Sequence, residues 1–175
     1  MAIYEIDGIA PNIDPAAYVH PDAVVIGDVT IGAESTVWPG AILRGDYGTI
    51  TVGARTSIQD GSVIHATADT PTTIGSGCVI GHLVHLEGCT LEDDTLAGSG
   101  SVILHRAVVG QGATVGANAV VTNGTIIPAG ALAVGVPAVI KEGKSSLHAI
   151  ETAAALYVWN GKRYATGLVR LDPPG

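Results

Sequence analysis

Aliphatic residues recur along this chain with a step of six, and that spacing constrains the fold more than any other feature. The series runs Val19, Val25, Ile31, Val37, Leu43, slips at DYGTI, and resumes at Val52, Ile58 and Ile64. It breaks over ATADTPTT and resumes at Ile74, Ile80 and Leu86. After one short step it continues through Leu91, Ala97, Ile103, Val109, Val115, Val121, Ile127 and Ala133. Small residues stand four positions after many of these, as at Val29, Ser35, Ala41, Thr56, Ser62, Cys78, Ala113 and Ala119. A helix repeats at about 3.6 residues and a strand at about 2, so neither gives this period. An all-β solenoid does: each unit is one short strand plus a corner, and three units close a triangular coil. The aliphatic points inward and stacks on its counterparts in neighbouring coils, while the small residue fills the cramped space near a corner. A β-sandwich of many short strands would show looser spacing and more rings. Aromatics make up only 4% of this chain, Phe is absent, and 24 glycines supply turns.

The repeat fades after GVPAVI. The expected organisation is a β-solenoid over residues 1–140 and a C-terminal helix and tail over 141–175 that pack on it, as one domain. Ser145 or Ser146 can cap the helix. Ile150, Ala154, Tyr157 and Val158 share one helical face. Gly161 weakens the middle and is expected to break the helix there. The helix covers apolar surface on its own chain or on a neighbour's.

A formal net charge of −8 argues against nucleic acid, whose phosphates need a basic surface. No basic amphipathic segment suggests a membrane partner, and the apolar runs are far too short to span a bilayer. The opening MAIYEIDGIAPNIDP lacks the charged and apolar regions of a signal peptide, so the expected location is cytoplasmic. Cys78 and Cys89 give no disulfide framework and fall at inward positions, which suits packed core thiols.

Polar insertions interrupt the repeat in a definite order: LRGDYGTITVGARTSIQDGSVIHA, Leu43 to Ala66, and later IGSGCVIGHLVHLEGCTL. With the solenoid and helix, these resemble the γ-class carbonic anhydrases over nearly the whole chain. The resemblance implies a left-handed parallel β-helix and a homotrimer with metal sites at subunit interfaces. It implies that His65 and residue 87 are ligands from one subunit and that His82 is offered across the interface. Arg44 and Asp46 match an ion pair that ties subunits together. Gln59 and Asp60 match polar residues that orient metal-bound water. The implied cofactor is zinc, and the implied reaction is reversible CO2 hydration by metal-bound hydroxide. Spacing supports the pair independently. Ile64 and Leu86 should stack in adjacent coils, so His65 and residue 87 should project outward side by side at about 4.8 Å.

The chain departs from the family pattern at two places. Glu87 stands where the family has its third histidine, in an intact Gly88-Cys89 context. Two histidines and a glutamate are a recognised zinc set, and His85 lies on the same outward face as a replacement or additional ligand. A carboxylate ligand raises the pKa of metal-bound water and slows hydration. It also favours iron, cobalt or manganese. Tyr47 stands where the best-characterised branch has a glutamate that assists proton transfer. Tyr157 loosely matches a helix tyrosine that approaches the site in some members. His105 is expected to be a solvated corner residue, and His20 and His148 surface histidines. Two other functions fit the same fold: an acyl-CoA thioesterase or CoA-dependent acyltransferase, and a non-catalytic trimeric scaffold or binding protein.

Overall fold

The computed structural model describes residues 2–172. It is a parallel β-solenoid, and the six-residue series forms its core. From Val25 to Ala133 every aliphatic in the series is at most 1% exposed, and so are the small residues that follow them. Partners in adjacent coils stack in register: Leu43 on Ile64, Ile64 on Leu86, Leu86 on Ile103, and Ile103 on Val121.

Three faces result. The first holds the leading half of Ile42–Val52, then Val63–His65, His85–Glu87, Val102–Ile103 and Val120–Val121. The second holds the trailing half of Ile42–Val52, then Thr72–Ile74, Thr90–Leu91, Val108–Val109 and Ile126–Ile127. The third runs from Tyr18–Val19 through Thr36–Val37, Ser57–Ile58, Val79–Ile80, Leu96–Ala97 and Thr114–Val115 to Leu132–Val134. Both ends of the stack are covered. Ala2–Tyr4 and Asn12–Ile13 pair with Val24–Ile31, and Val139–Lys141 turns back antiparallel onto Leu132–Val134. Covering the ends limits exposed strand edges.

The two irregularities of the repeat have different forms. At DYGTI the chain stays extended through the corner as one strand, Ile42–Val52, and its pairing with Val24–Ile31 shifts register between Gly27 and Val29. ATADTPTT is a protruding turn closed by reciprocal backbone hydrogen bonds between Thr67 and Thr70.

One helix, Leu147–Gly167, lies along the third face of its own chain. Ser146 caps it by accepting from the Ala149 amide. Ile150 and Ala154 are buried against Val79. The scarce aromatics gather at this seam: Trp38 packs edge-on to Tyr157 and Tyr164, and its indole N–H donates to Thr36 and Ser57. The expected break at Gly161 does not occur. Gly161 is buried, and a Cβ there would come within 2.6 Å of the Thr36 methyl, so glycine serves close approach of helix to sheet. Among the described residues, no helix is long and apolar enough to cross a membrane.

Gly161→Ala should therefore lower the melting temperature. The helix-propensity gain of about 1 kcal/mol is outweighed by overpacking, which costs about 1–3 kcal/mol. Gly167→Ala, where a Cβ meets open space, should leave the melting temperature unchanged or raise it. Equal effects from the two variants in thermal unfolding would show that the contact with Thr36 is not limiting.

Candidate functional site

In-register stacking places outward side chains in ladders just as it does the inward ones. Arg44 is the strand partner of His65, and His65 is the partner of Glu87. The three form a polar row at the end of the first face, and the expected neighbourhood of His65 and Glu87 is realised.

His65 sits between two carboxylates. Its Nδ1 lies 2.9 Å from Glu87 Oε1 and its Nε2 lies 3.1 Å from Asp46 Oδ1. Arg44 donates to the other oxygen of Asp46. Carboxylate oxygens only accept, so each His65 contact requires a proton or a cation between the two atoms. Glu87 Oε2 faces two further imidazoles, with His85 Nε2 at 3.4 Å and His105 Nε2 at 3.8 Å. The His65 hydrogen bond lowers the Glu87 pKa against the effect of burial, with help from His85 and His105. Burial pushes Asp46 up, but hydrogen bonds from Arg44 and His65 outweigh it and hold the carboxyl below its ordinary value.

His82 is elsewhere. It lies in the turn before His85–Glu87, whereas Glu87 closes that strand. The next residue, Leu83, has a left-handed backbone with φ 58° and presents an exposed side chain at the same corner. His82 Nδ1 lies 2.9 Å from Asp60 Oδ2, and both side chains are about half exposed. Asp60 thus contacts a candidate ligand rather than standing free. Tyr157 packs from the helix against Trp38 and the third face, and burial, with the Asp60 charge second, raises its hydroxyl pKa. Gln59, next to Asp60, is buried at 4% exposure. One chain therefore presents two separated groups. Arg44, Asp46, His65, His85 and Glu87 stand at one end of the face, and Gln59, Asp60 and His82 stand at the other. Among the described residues, no three His, Cys, Asp or Glu side chains converge to hold a metal ion within a single chain.

Two expectations about histidines are corrected. His105 is not a free corner residue: its Nδ1 lies 3.2 Å from Thr70 Oγ1 and its other nitrogen faces Glu87. The signal was the register, because His105 follows Ile103 by two positions and Ile103 is the partner of Leu86. His20 is buried rather than on the surface, and its Nδ1 accepts from the Asp22 amide. Its position at the seam near Tyr18 explains the burial. His148 is exposed, as expected, and Tyr47 is 72% exposed. Tyr47 lines a cleft of about 310 Å³ beside Asp46 with Thr49, Thr67 and Pro71. Cys78 and Cys89 are core thiols, and burial pushes Cys89 up to about 12.

The solenoid, its covering helix and the outward polar row define a hexapeptide-repeat protein. Residues 88–123 match the family described as bacterial transferase hexapeptide (six repeats). The carnitine operon protein CaiE of Escherichia coli K12 is 43% identical over 117 residues, covering 67% of this chain and 60% of that protein. The mitochondrial gamma carbonic anhydrase 1 of Arabidopsis thaliana is 44% identical over 135 residues, covering 74% of this chain and 49% of that protein. A crystal structure of a hexapeptide transferase family protein from Anaplasma phagocytophilum superposes with a TM-score of 0.89 at 33% identity, covering 93% of this chain and 98% of that one. The chain spans 60% of the length of the Escherichia coli K12 CaiE and about half of the plant protein. It belongs to the γ-carbonic-anhydrase-like group of the hexapeptide-repeat superfamily.

The Asp46 pairing makes a pH prediction for metal-free protein. Its folded pKa is depressed, so its contribution is present above the ordinary value of 3.8 and is lost as pH falls through the folded value. Asp46→Asn should cost about 1–3 kcal/mol at pH 7, and the gap from wild type should shrink below pH of about 4. Urea melts at both pH values measure it, and a constant gap would contradict the pairing.

Proposed function

We propose that the chain forms a homotrimer that binds a divalent metal between subunits and catalyses reversible hydration of CO2, as a slow γ-carbonic-anhydrase-type lyase. The observation that carries this reading is the separation of the polar residues into two groups at opposite ends of one face. Neither group is a complete ligand set. Two surfaces at separate corners of a triangular prism can be brought together when three prisms pack around a common axis. His65 and Glu87 of one subunit would then meet His82 of the next.

The donors fit the group. Ligands of one tetrahedral ion with bonds of about 2.0–2.2 Å lie about 3.3–3.6 Å apart, so His65 Nδ1 and Glu87 Oε1, hydrogen-bonded at 2.9 Å, would open by about half an ångström to share one. When bound, the metal supplies Lewis acidity that makes water a nucleophile near neutral pH. The chain's own residues do the rest. Asp46 fixes the ring of His65, and Arg44 offsets the charge of Asp46. Asp60 holds the ring of His82, with Gln59 beside it. Tyr157 of the covering helix is the residue assigned to exchange a proton with the site, its hydroxyl pKa raised by burial and by the Asp60 charge. Glu87 lowers the metal's effective charge relative to a third imidazole. The consequences are slower hydration at neutral pH and access for iron, cobalt or manganese as well as zinc. The plant relative's name supports the carbonic anhydrase reading.

Protein purified without chelator should carry stoichiometric metal and behave as a trimer in light scattering. His65→Ala should remove metal and at least about 100-fold of the hydration rate, since even outer partners of ligands are worth 10–100-fold. Glu87→His should raise the stopped-flow CO2 hydration rate. Absence of metal from the purified protein, or no gain in Glu87→His, overturns the proposal. Acyl transfer or thioester hydrolysis is the second reading, supported by the transferase names of the family and of the Anaplasma structure. Turnover of a panel of acyl-CoA thioesters without CO2 hydration would select it.

A further inference from the structure

The six-residue step fails at DYGTI and at ATADTPTT, and the solenoid brings the two breaks together as walls of one cleft. Gly48, in the first break, approaches the Thr67 carbonyl of the second so closely that a Cβ would collide with it. A Cβ at Gly45 would come within 2.6 Å of the Asp28 carbonyl. These glycines seat the corner on both neighbours, with Asp46 and Tyr47 between them in sequence. Ile9 adds a further wall, from a turn that Ile6 and Ile9 close by reciprocal backbone hydrogen bonds. The space enclosed is the cleft of about 310 Å³ beside Asp46.

We propose that this cleft binds a small organic monocation, with the Asp28 carboxylate as its counter-charge and the Tyr47 ring as the surface for its alkyl groups. Such binding needs neither a metal nor CO2 hydration, so its test depends on neither.

Size, charge and surface all point to that class. The volume lies at the lower end of the range for small-molecule sites, about 300–1,000 Å³, and far exceeds what CO2 requires. Two carboxylates line the cleft, and they differ in what already meets their charge. Asp46 is held by Arg44 and His65. Asp28 accepts a hydrogen bond from Thr49 Oγ1 at 2.6 Å through Oδ2, which fixes the carboxylate without neutralising it. Among the described residues, Oδ1 has no hydrogen-bond partner and no cationic side chain pairs with Asp28. No Lys, Arg or His among them lines the cleft. One negative charge is therefore left unmet, which disfavours phosphates and carboxylates as ligands and favours a single positive charge.

The surface selects an organic cation over a bare ion. Tyr47 is 72% exposed, and its ring shares the cleft with Ile9, Ala68 and Pro71. An aromatic face attracts a cation and accepts its methyl groups at the same time. A neutral apolar ligand would cover Asp28 and strip its water with nothing in return.

Calorimetric titration of the purified full-length protein with choline tests this. The control is the uncharged dimethylbutanol isostere, which carries carbon in place of nitrogen. Choline should bind saturably, one per chain, and the isostere at least about tenfold more weakly. Asp28→Asn keeps an acceptor for Thr49 and removes only the charge, and it should weaken choline about tenfold. Tyr47→Ala, at an exposed position, should weaken it about two- to fivefold. Circular dichroism confirms that both variants fold. The inference is overturned if choline does not bind saturably, if the isostere binds as tightly as choline, or if either variant leaves the choline affinity unchanged.

Discussion

In-register stacking of inward aliphatics is the interaction on which the rest of the molecule depends. Leu43, Ile64, Leu86, Ile103 and Val121 form one such ladder through the first face. A slip of one residue in any strand would turn its buried side chain outward and its polar neighbour inward, so burial specifies the register sharply. The polar row of Arg44, His65 and Glu87 comes from the same ladder, one position further along each strand. The core and the site are two readings of one register.

That coupling gives the site rigid support with little material. His65 needs no loop to bring it to Glu87, since backbone pairing already sets them side by side. The side chains then complete the arrangement electrostatically. Arg44 offsets Asp46, Asp46 and Glu87 flank His65, and Glu87 gathers the imidazoles of His85 and His105. A buried carboxylate without partners would be costly. This one is tolerated because it is partly exposed and surrounded by nitrogen. Along the third face the same economy serves the helix. Gly161 permits close approach, and rings at Trp38, Tyr157 and Tyr164 fill the seam that aliphatic stacking leaves open.

Readings from the chain worked where the cause was local and periodic. The step of six identified the solenoid, and the position after each aliphatic identified the outward ladder. Readings failed where the cause was a contact between distant segments. His105 looked like a corner residue because nothing near it in sequence shows that Thr70 stands behind it. His20 looked exposed because the seam that covers it is built from separate coils. Gly161 looked like a helix breaker because propensity counts backbone freedom and omits a neighbour such as Thr36 that only a glycine can approach.

The sequence by itself determined the coil, the order of its polar insertions, and the pairing of His65 with Glu87, because a fixed period converts position directly into space. Only the tertiary structure decided which side chains converge on each oxygen of Glu87, that His82 and Asp60 stand apart from them, and that the helix runs unbroken along its own chain. Those outcomes depend on side-chain reach and on contacts across several coils, and a one-dimensional period carries no information about either.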